Sequence, residues 1–167
     1  MHETPITRLL DAEGVPYRRL EHSEPVYTMK AAAAQRGVVR EEMVKSILLC
    51  EAGGRRRYVM ACVLGDDRLD PKAVRDYLET VEPGWRRLTF TGDDEIRQMT
   101  AGVKGAVAPL ALPHDIPVVF DEAIAGRVTV NISSGDVMLG LELPAADLIR
   151  LARAQMAPIV ALPRPTI

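Results

Sequence analysis

Two stretches of this chain combine residue types and spacing that could do chemistry. The first is Met43-Val44-Lys45-Ser46-Ile47-Leu48-Leu49-Cys50, a run of mostly apolar residues with one lysine in it. It reads as a strand. Side chains alternate across a strand, so Met43, Lys45, Ile47 and Leu49 share one face and Val44, Ser46, Leu48 and Cys50 the other. Lys45 therefore projects from an otherwise apolar face. An ammonium withdrawn from water costs several kcal/mol unless an anion or a strong hydrogen-bond acceptor meets it. Two readings follow. Lys45 either snorkels from an edge strand into water, or lies in the floor of a pocket and meets an anionic or carbonyl-bearing ligand.

The second stretch is Ala101-Gly102-Val103-Lys104-Gly105-Ala106-Val107-Ala108-Pro109-Leu110, small and apolar where surface loops are usually rich in Ser, Asn and Asp. Where no side chain intervenes, backbone N–H groups can come close to a ligand. Such donors can stabilise the oxyanion formed when water attacks an ester carbonyl. A plain connector tucked under a sheet is the other account of the same residues.

Other chemistries find little support. His2, His22 and His114 stand apart, and the two cysteines lack metal-ligand spacing. The chain has no Gly-x-Ser-x-Gly elbow, no Gly-x-x-x-x-Gly-Lys-Ser/Thr loop and no Gly-x-Gly-x-x-Gly. Helix capping and solvation account for the cluster Asp66, Asp67 and Asp70. No cofactor and no metal are expected.

The elements that must position Lys45 and the glycine loop can be read in order. Thr4-Pro5 starts a helix that Gly14 can stop. Val15 to His22 reads as a strand. Thr28 caps a helix over Met29 to Arg36, closed by Gly37. The lysine strand then turns at Gly53-Gly54 and pairs with Arg55 to Leu64. That turn sets Cys50 opposite Arg56 or Arg57 and Cys62 opposite Val44 or Lys45. The offset of about six residues, roughly 20 Å, is beyond disulfide reach. Asp70-Pro71 opens a third helix, Arg86 to Phe90 is a short strand, and Thr91 or Asp93 caps a helix over Asp94 to Met99. Pro117 to Asp121, Arg127 to Ile132 and Val137 to Leu143 read as strands, with a turn at Ser133-Ser134-Gly135-Asp136. A helix runs from Pro144 through Ala154. The expected architecture is a mixed α/β domain, 1–157, with a largely antiparallel mixed sheet and flanking helices. Residues 158–167 form a Pro-rich tail.

The chain's 167 residues fit one domain. Hydrophobic residues at 47% allow a full core. A net charge of −2 excludes a generally basic coat, so contact with nucleic acid needs a local patch. The N-terminus lacks the basic and apolar regions of a signal peptide, and no segment is long and apolar enough to span a bilayer. A cytoplasmic location, without membrane contact, is expected.

The order and spacing of several pieces resemble the YbaK/EbsC and ProX group of aminoacyl-tRNA deacylases, whose fold also forms the editing domain inserted in bacterial prolyl-tRNA synthetases. The pieces are Glu21-His22 with Val26-Tyr27-Thr28, Val44-Lys45-Ser46, Gly65-Asp66-Asp67-Arg68-Leu69-Asp70, Gly105-Ala106-Val107-Ala108-Pro109, Pro117-Val118-Val119-Phe120-Asp121, and the Ser134-Gly135 turn. The likeness runs from about Thr4 to Ala154.

The resemblance implies a trans-editing hydrolase that cleaves the ester joining a wrong amino acid to the 3′ adenosine of tRNA. It implies that Lys45 anchors the substrate beside that ester. The loop residues Gly102, Gly105, Ala106, Val107, Ala108 and Pro109 would hold the aminoacyl group. His22, Tyr27, Ser134, Gly135 and Asp136 would line the pocket by the same similarity. A substrate hydroxyl would activate the water, so no protein triad is required. The implied partners are a misacylated tRNA and the synthetase that erred. Asp136, Val137 and Met138 depart from the basic or glycine residues common after the Ser-Gly turn. Cysteinyl, alanyl, seryl and other misacylated substrates therefore all stay open, and pocket discrimination among small side chains is worth only about 1–3 kcal/mol. Arg55, Arg56, Arg57 and Lys104 could meet tRNA phosphates. The alternative is a non-catalytic module of the same fold that binds tRNA, a nucleotide or a synthetase.

Overall fold

Local chemistry starts three of the helices where capping residues stand. The computed structural model describes residues 3–161. Thr4 caps α1 (Pro5–Ala12), its hydroxyl accepting the Thr7 N–H while the Thr7 hydroxyl accepts that of Thr4. Thr28 caps α2 (Met29–Arg36), which Gly37 ends at φ 67°. Asp70 caps α3 (Pro71–Val81).

The strands are β1 (Arg18–Glu21), β2 (Val44–Glu51), β3 (Tyr58–Leu64), β4 (Leu88–Phe90), β5 (Val118–Asp121), β6 (Thr129–Ser133), β7 (Leu139–Pro144) and β8 (Gln155–Ala157). Two helices complete the order, α4 (Asp93–Met99) and α5 (Ala145–Ala152). The fold is mixed α/β, as expected, but the strands divide between two sheets. One has five strands in the order β4-β2-β3-β5-β8, with β3-β5 and β5-β8 parallel. The other is antiparallel, in the order β1-β7-β6.

Alternation along the β2–β3 hairpin decides what each face covers. Val44, Leu48, Met60 and Cys62 point between the sheets, against Val130, Ile132, Leu141 and α1 residues Ile6 and Leu10. Leu49, Val59, Ala61 and Val63 point the other way and are covered by Val74 and Leu78 of α3 and by Trp85. The sheets meet at a seam where Met43 forms a parallel bridge with Asn131 of β6.

Several boundaries differ from the sequence reading. The hairpin puts Cys50 opposite Tyr58 and Cys62 opposite Ser46, because the loop between the strands is wider than a two-residue turn. The cysteines are thus offset by four residues rather than six, roughly 13 Å, and both are free and buried. Burial pushes the Cys62 thiol up to about 12, which leaves it unreactive. Neither Thr91 nor Asp93 caps α4. Gly92 holds the cap position, the Thr91 hydroxyl donates to the Leu48 carbonyl, and Glu95 reaches back toward the Gly92 N–H. The last helix stops at Ala152, with Arg153 left-handed, and the chain re-enters the sheet as β8. Three residues are too few to show an alternation, so β8 has no sequence signal.

The first residues of the expected tail dock. Ile159 is fully buried, and its N–H donates to the Asp121 carboxylate. Val160 bridges to Leu69. Asp121 also accepts the Ala123 N–H and is itself buried. Asp121→Ala leaves both donors without that acceptor and is expected to cost about 2 kcal/mol. A urea unfolding midpoint measures this, and an unchanged midpoint would contradict the role. His2 and residues 162–167 lie outside the described residues. Among the described residues no helix is long and apolar enough to cross a membrane.

Candidate functional site

Lys45 leaves β2 on the face it shares with Ile47 and Leu49, at the end of the hairpin nearest the β3–α3 loop. It is half-buried, and its ammonium donates to the Asp67 carbonyl at 2.9 Å. Burial pushes its pKa down. The carboxylates of Asp66 and Asp67 act against that, and Arg68 acts with it.

Beside Lys45 a cavity of about 210 Å³ opens between α2, the first residues of β2 and the glycine loop. Tyr27, Arg36, Lys45, Ser46, Gly105 and Val107 are among the residues that line it. Ser133 of β6 reaches it across the seam. The structure therefore brings four of the sequence candidates together: Lys45, Tyr27, Gly105 and Val107. Tyr27 stands exposed at the rim. Gly105 has φ 88°, and a β-carbon there would lie 3.0 Å from the Cα of Tyr27. Among the described residues no protein acceptor takes the N–H of Gly105 or Val107.

The other candidates serve the scaffold and do not line the cavity. Gly102 gives its N–H to the Thr100 hydroxyl and lies so close to the Ala106 carbonyl that a side chain has no room. Ala106 donates to the Val103 carbonyl within its turn, and Ala108 belongs to the main core. Pro109 is buried and borders a different cavity, beside His114 and Arg153. Ser134 accepts the Asp136 N–H and donates to the Leu139 carbonyl, while the Asp136 carboxylate accepts the Met138 N–H. Gly135, at φ 95°, lets this turn pack on Ala101.

His22 stands one layer behind the cavity wall. It is buried, with Nδ1 2.8 Å from the Val137 carbonyl and Nε2 3.1 Å from Nε of Arg36. A guanidinium only donates, so Nε2 accepts and the proton sits on Nδ1. Burial, helped by the Arg36 charge, pushes the imidazole pKa down, the direction this neutral form requires. Arg36 also donates through Nη1 to Oδ1 of Asn131 at 2.8 Å. Its own pKa is lowered to about 10 by burial.

Sequence reasoning missed Arg36, Ser46 and Ser133. Arg36 is the last residue of an alanine-rich helix, where a basic residue is already explained by the helix dipole. Its partners lie 14 and 95 positions away, too far for any local pattern to show. Among the described residues no three His, Cys, Asp or Glu side chains are placed to hold a metal ion.

The site is thus a small cavity of mixed polar and apolar lining, with a half-buried lysine, an arginine and two backbone N–H groups that no protein acceptor takes among the described residues. The chain belongs to the aminoacyl-tRNA editing domain family, whose model matches residues 23–151. It is 28% identical over 149 residues to the prolyl-tRNA editing protein ProX of Acetoanaerobium sticklandii, covering 87% of each chain. Two solved structures share its fold. The crystal structure of hypothetical protein APE2540 superposes with a TM-score of 0.81 at 24% identity, over 94% of this chain and 99% of that one. The crystal structure of a candidate trans-editing enzyme for prolyl-tRNA synthetase gives 0.78 at 22% identity, over 96% and 99%.

Proposed function

We propose that this chain is a free-standing aminoacyl-tRNA deacylase, acting in trans on a mischarged tRNA. The observation that carries this reading is the half-buried Lys45 on one cavity with the backbone of Gly105 and Val107. Family membership supplies the substrate class.

In this reading the aminoacyl end of the tRNA enters past Tyr27. The ammonium of Lys45 leaves the Asp67 carbonyl to hold the substrate beside the scissile ester. Water adds to the acyl carbon, and the N–H groups of Gly105 and Val107 meet the oxygen that becomes negative. The bond between the acyl carbon and the ribose oxygen then breaks. That oxygen leaves as the free hydroxyl, and the amino acid leaves as its carboxylate with release of a proton. A neighbouring ribose hydroxyl of the substrate takes the attacking water's proton as it passes its own to the departing oxygen, which accounts for a site without a serine-histidine-acid triad.

The hairpin end offers less to phosphates than its three arginines suggest. Arg56 is paired with Glu95 at 2.8 Å and Arg57 with Glu51 at 2.9 Å. Arg55 is exposed and pairs with no carboxylate among the described residues. Weak, salt-sensitive tRNA binding follows, which suits an enzyme that receives its substrate from a synthetase.

The test is release of amino acid from a panel of misacylated tRNAs, prolyl acceptors included. Turnover of at least one mischarged species, with cognate charging spared, supports the reading. Saturable tRNA binding without turnover of any species would establish the non-catalytic module instead.

A further inference from the structure

The cavity wall holds a second cation whose surroundings ask for a ligand. Arg36 gives one N–H to His22 and one to Asn131, both neutral acceptors, and a guanidinium carries more donors than those two use. Among the described residues no carboxylate pairs with Arg36, and no Asp or Glu lines the cavity it faces. The other cation of the lining, Lys45, differs: it hydrogen-bonds a neutral carbonyl but has the carboxylates of Asp66 and Asp67 nearby. Removing a charge from water without an opposite charge is costly unless a ligand supplies one.

The arginine is also held in place. His22 is fixed by the Val137 carbonyl, and Asn131 by its amide donating to the Glu42 carbonyl at 3.3 Å and by its bridge to Met43. On the remaining side lies Gly140 of β7, where a β-carbon would collide with the guanidinium. A guanidinium clamped at two points, lining the cavity and with donors to spare, is arranged to receive a planar or tetrahedral oxyanion.

We propose that Arg36, seated by His22, Asn131 and Gly140, is the cavity's receptor for an oxyanion-bearing group of the ligand. The oxyanion is a phosphate next to the terminal adenosine or a carboxylate on the aminoacyl side chain. The inference rests on the proposed deacylase reading for its choice of probes.

The experiment measures binding by calorimetry at one fixed ionic strength. The probes are non-hydrolysable 3′-aminoacylamido-adenosines, bearing alanyl or aspartyl groups and a 5′-hydroxyl or a 5′-phosphate. In the wild type, adding an oxyanion at one of those places is expected to tighten binding ~10-fold or more. Tightening by the 5′-phosphate assigns the nucleotide backbone as the source, and tightening by the aspartyl group assigns the side chain. The preference shrinks to within about twofold in Arg36→Gln and in Gly140→Ala, and is partly kept in Arg36→Lys.

Equal wild-type affinity for all four probes overturns the proposal, as does absence of binding by all of them. A preference that survives intact in Arg36→Gln also overturns it. The wild-type comparison needs no mutation, so it decides even where a variant does not fold. Deacylation without an oxyanion preference removes this inference and leaves the activity. A preference lost in Arg36→Gln, without turnover of any tRNA, removes the activity and leaves the receptor.

Discussion

Lys45→Ala is expected to lower kcat/KM for deacylation by ~100-fold or more while the protein stays folded. The magnitude follows from removing a preorganised cation beside developing charge in a site partly screened from water, an effect of about 3–4 kcal/mol. The fold does not depend on this side chain in the same way. Among the described residues the only hydrogen bond its ammonium makes is to the carbonyl of Asp67, an exposed loop residue. Loss of that bond and of some stem packing costs about 1 kcal/mol. Lys45→Met separates the two contributions, because it keeps the apolar stem and deletes the charge. Both variants should melt close to the wild type and both should be inactive on the best substrate of the panel. Full activity in Lys45→Met would refute the proposed anchoring role.

Glu51→Ala is expected to cost about 3–5 kcal/mol of stability, the largest effect of any single substitution proposed for this fold. The Glu51 side chain is 1% exposed, and its carboxylate accepts four hydrogen bonds at the loop end of the hairpin. Two come from the Arg57 guanidinium, one from the Arg57 N–H and one from the Arg86 N–H. The guanidinium lies 4.1 Å from the centre of the Trp85 ring and donates to the Gly84 carbonyl. Removing the carboxylate leaves two backbone donors without their acceptor and leaves the half-buried guanidinium only the exposed Glu82 carboxylate at 3.9 Å.

The same carboxylate makes stability depend on pH. The Arg57 guanidinium, with the two backbone N–H groups, holds Glu51 down at about 2, below its ordinary 4.5. A carboxylate with a depressed native pKa contributes stability that is fully present above 4.5 and is lost as pH falls through about 2. The contribution at neutral pH is about 3 kcal/mol. Wild type and Glu51→Gln should therefore differ in denaturation midpoint at pH 7 and converge toward pH 2. A constant gap across that range would show that Glu51 acts through packing alone.

How much of this could be read before folding depended on how local the cause was. The caps at Thr4, Thr28 and Asp70 act within three residues, and each starts a helix as expected. α2 runs from Met29 to Arg36 and stops at Gly37, as its cap and glycine dictate. The two faces of the β2–β3 hairpin follow from alternation alone, so the odd position of Lys45 was visible in eight residues. Turn width was not visible. Gly53-Gly54 marks a turn without stating how many residues it holds, and the cross-strand register moved accordingly.

Sequence by itself determined the mixed α/β class, the family, the lysine and the small-residue loop. It did so because capping and alternation are properties of neighbouring residues, and because the order of motifs along the chain can be read without knowing how they fold. Only the tertiary structure decided that two sheets form rather than one, since β1 finds β7 more than a hundred positions away. The same long-range pairing decided the site. It left Gly105 and Val107 on the cavity with Lys45, buried Gly102, Ala106 and Ala108 away from it, and brought His22 and Asn131 together on Arg36. Such meetings are set by the packing of whole faces against one another, and no short window of sequence contains both partners.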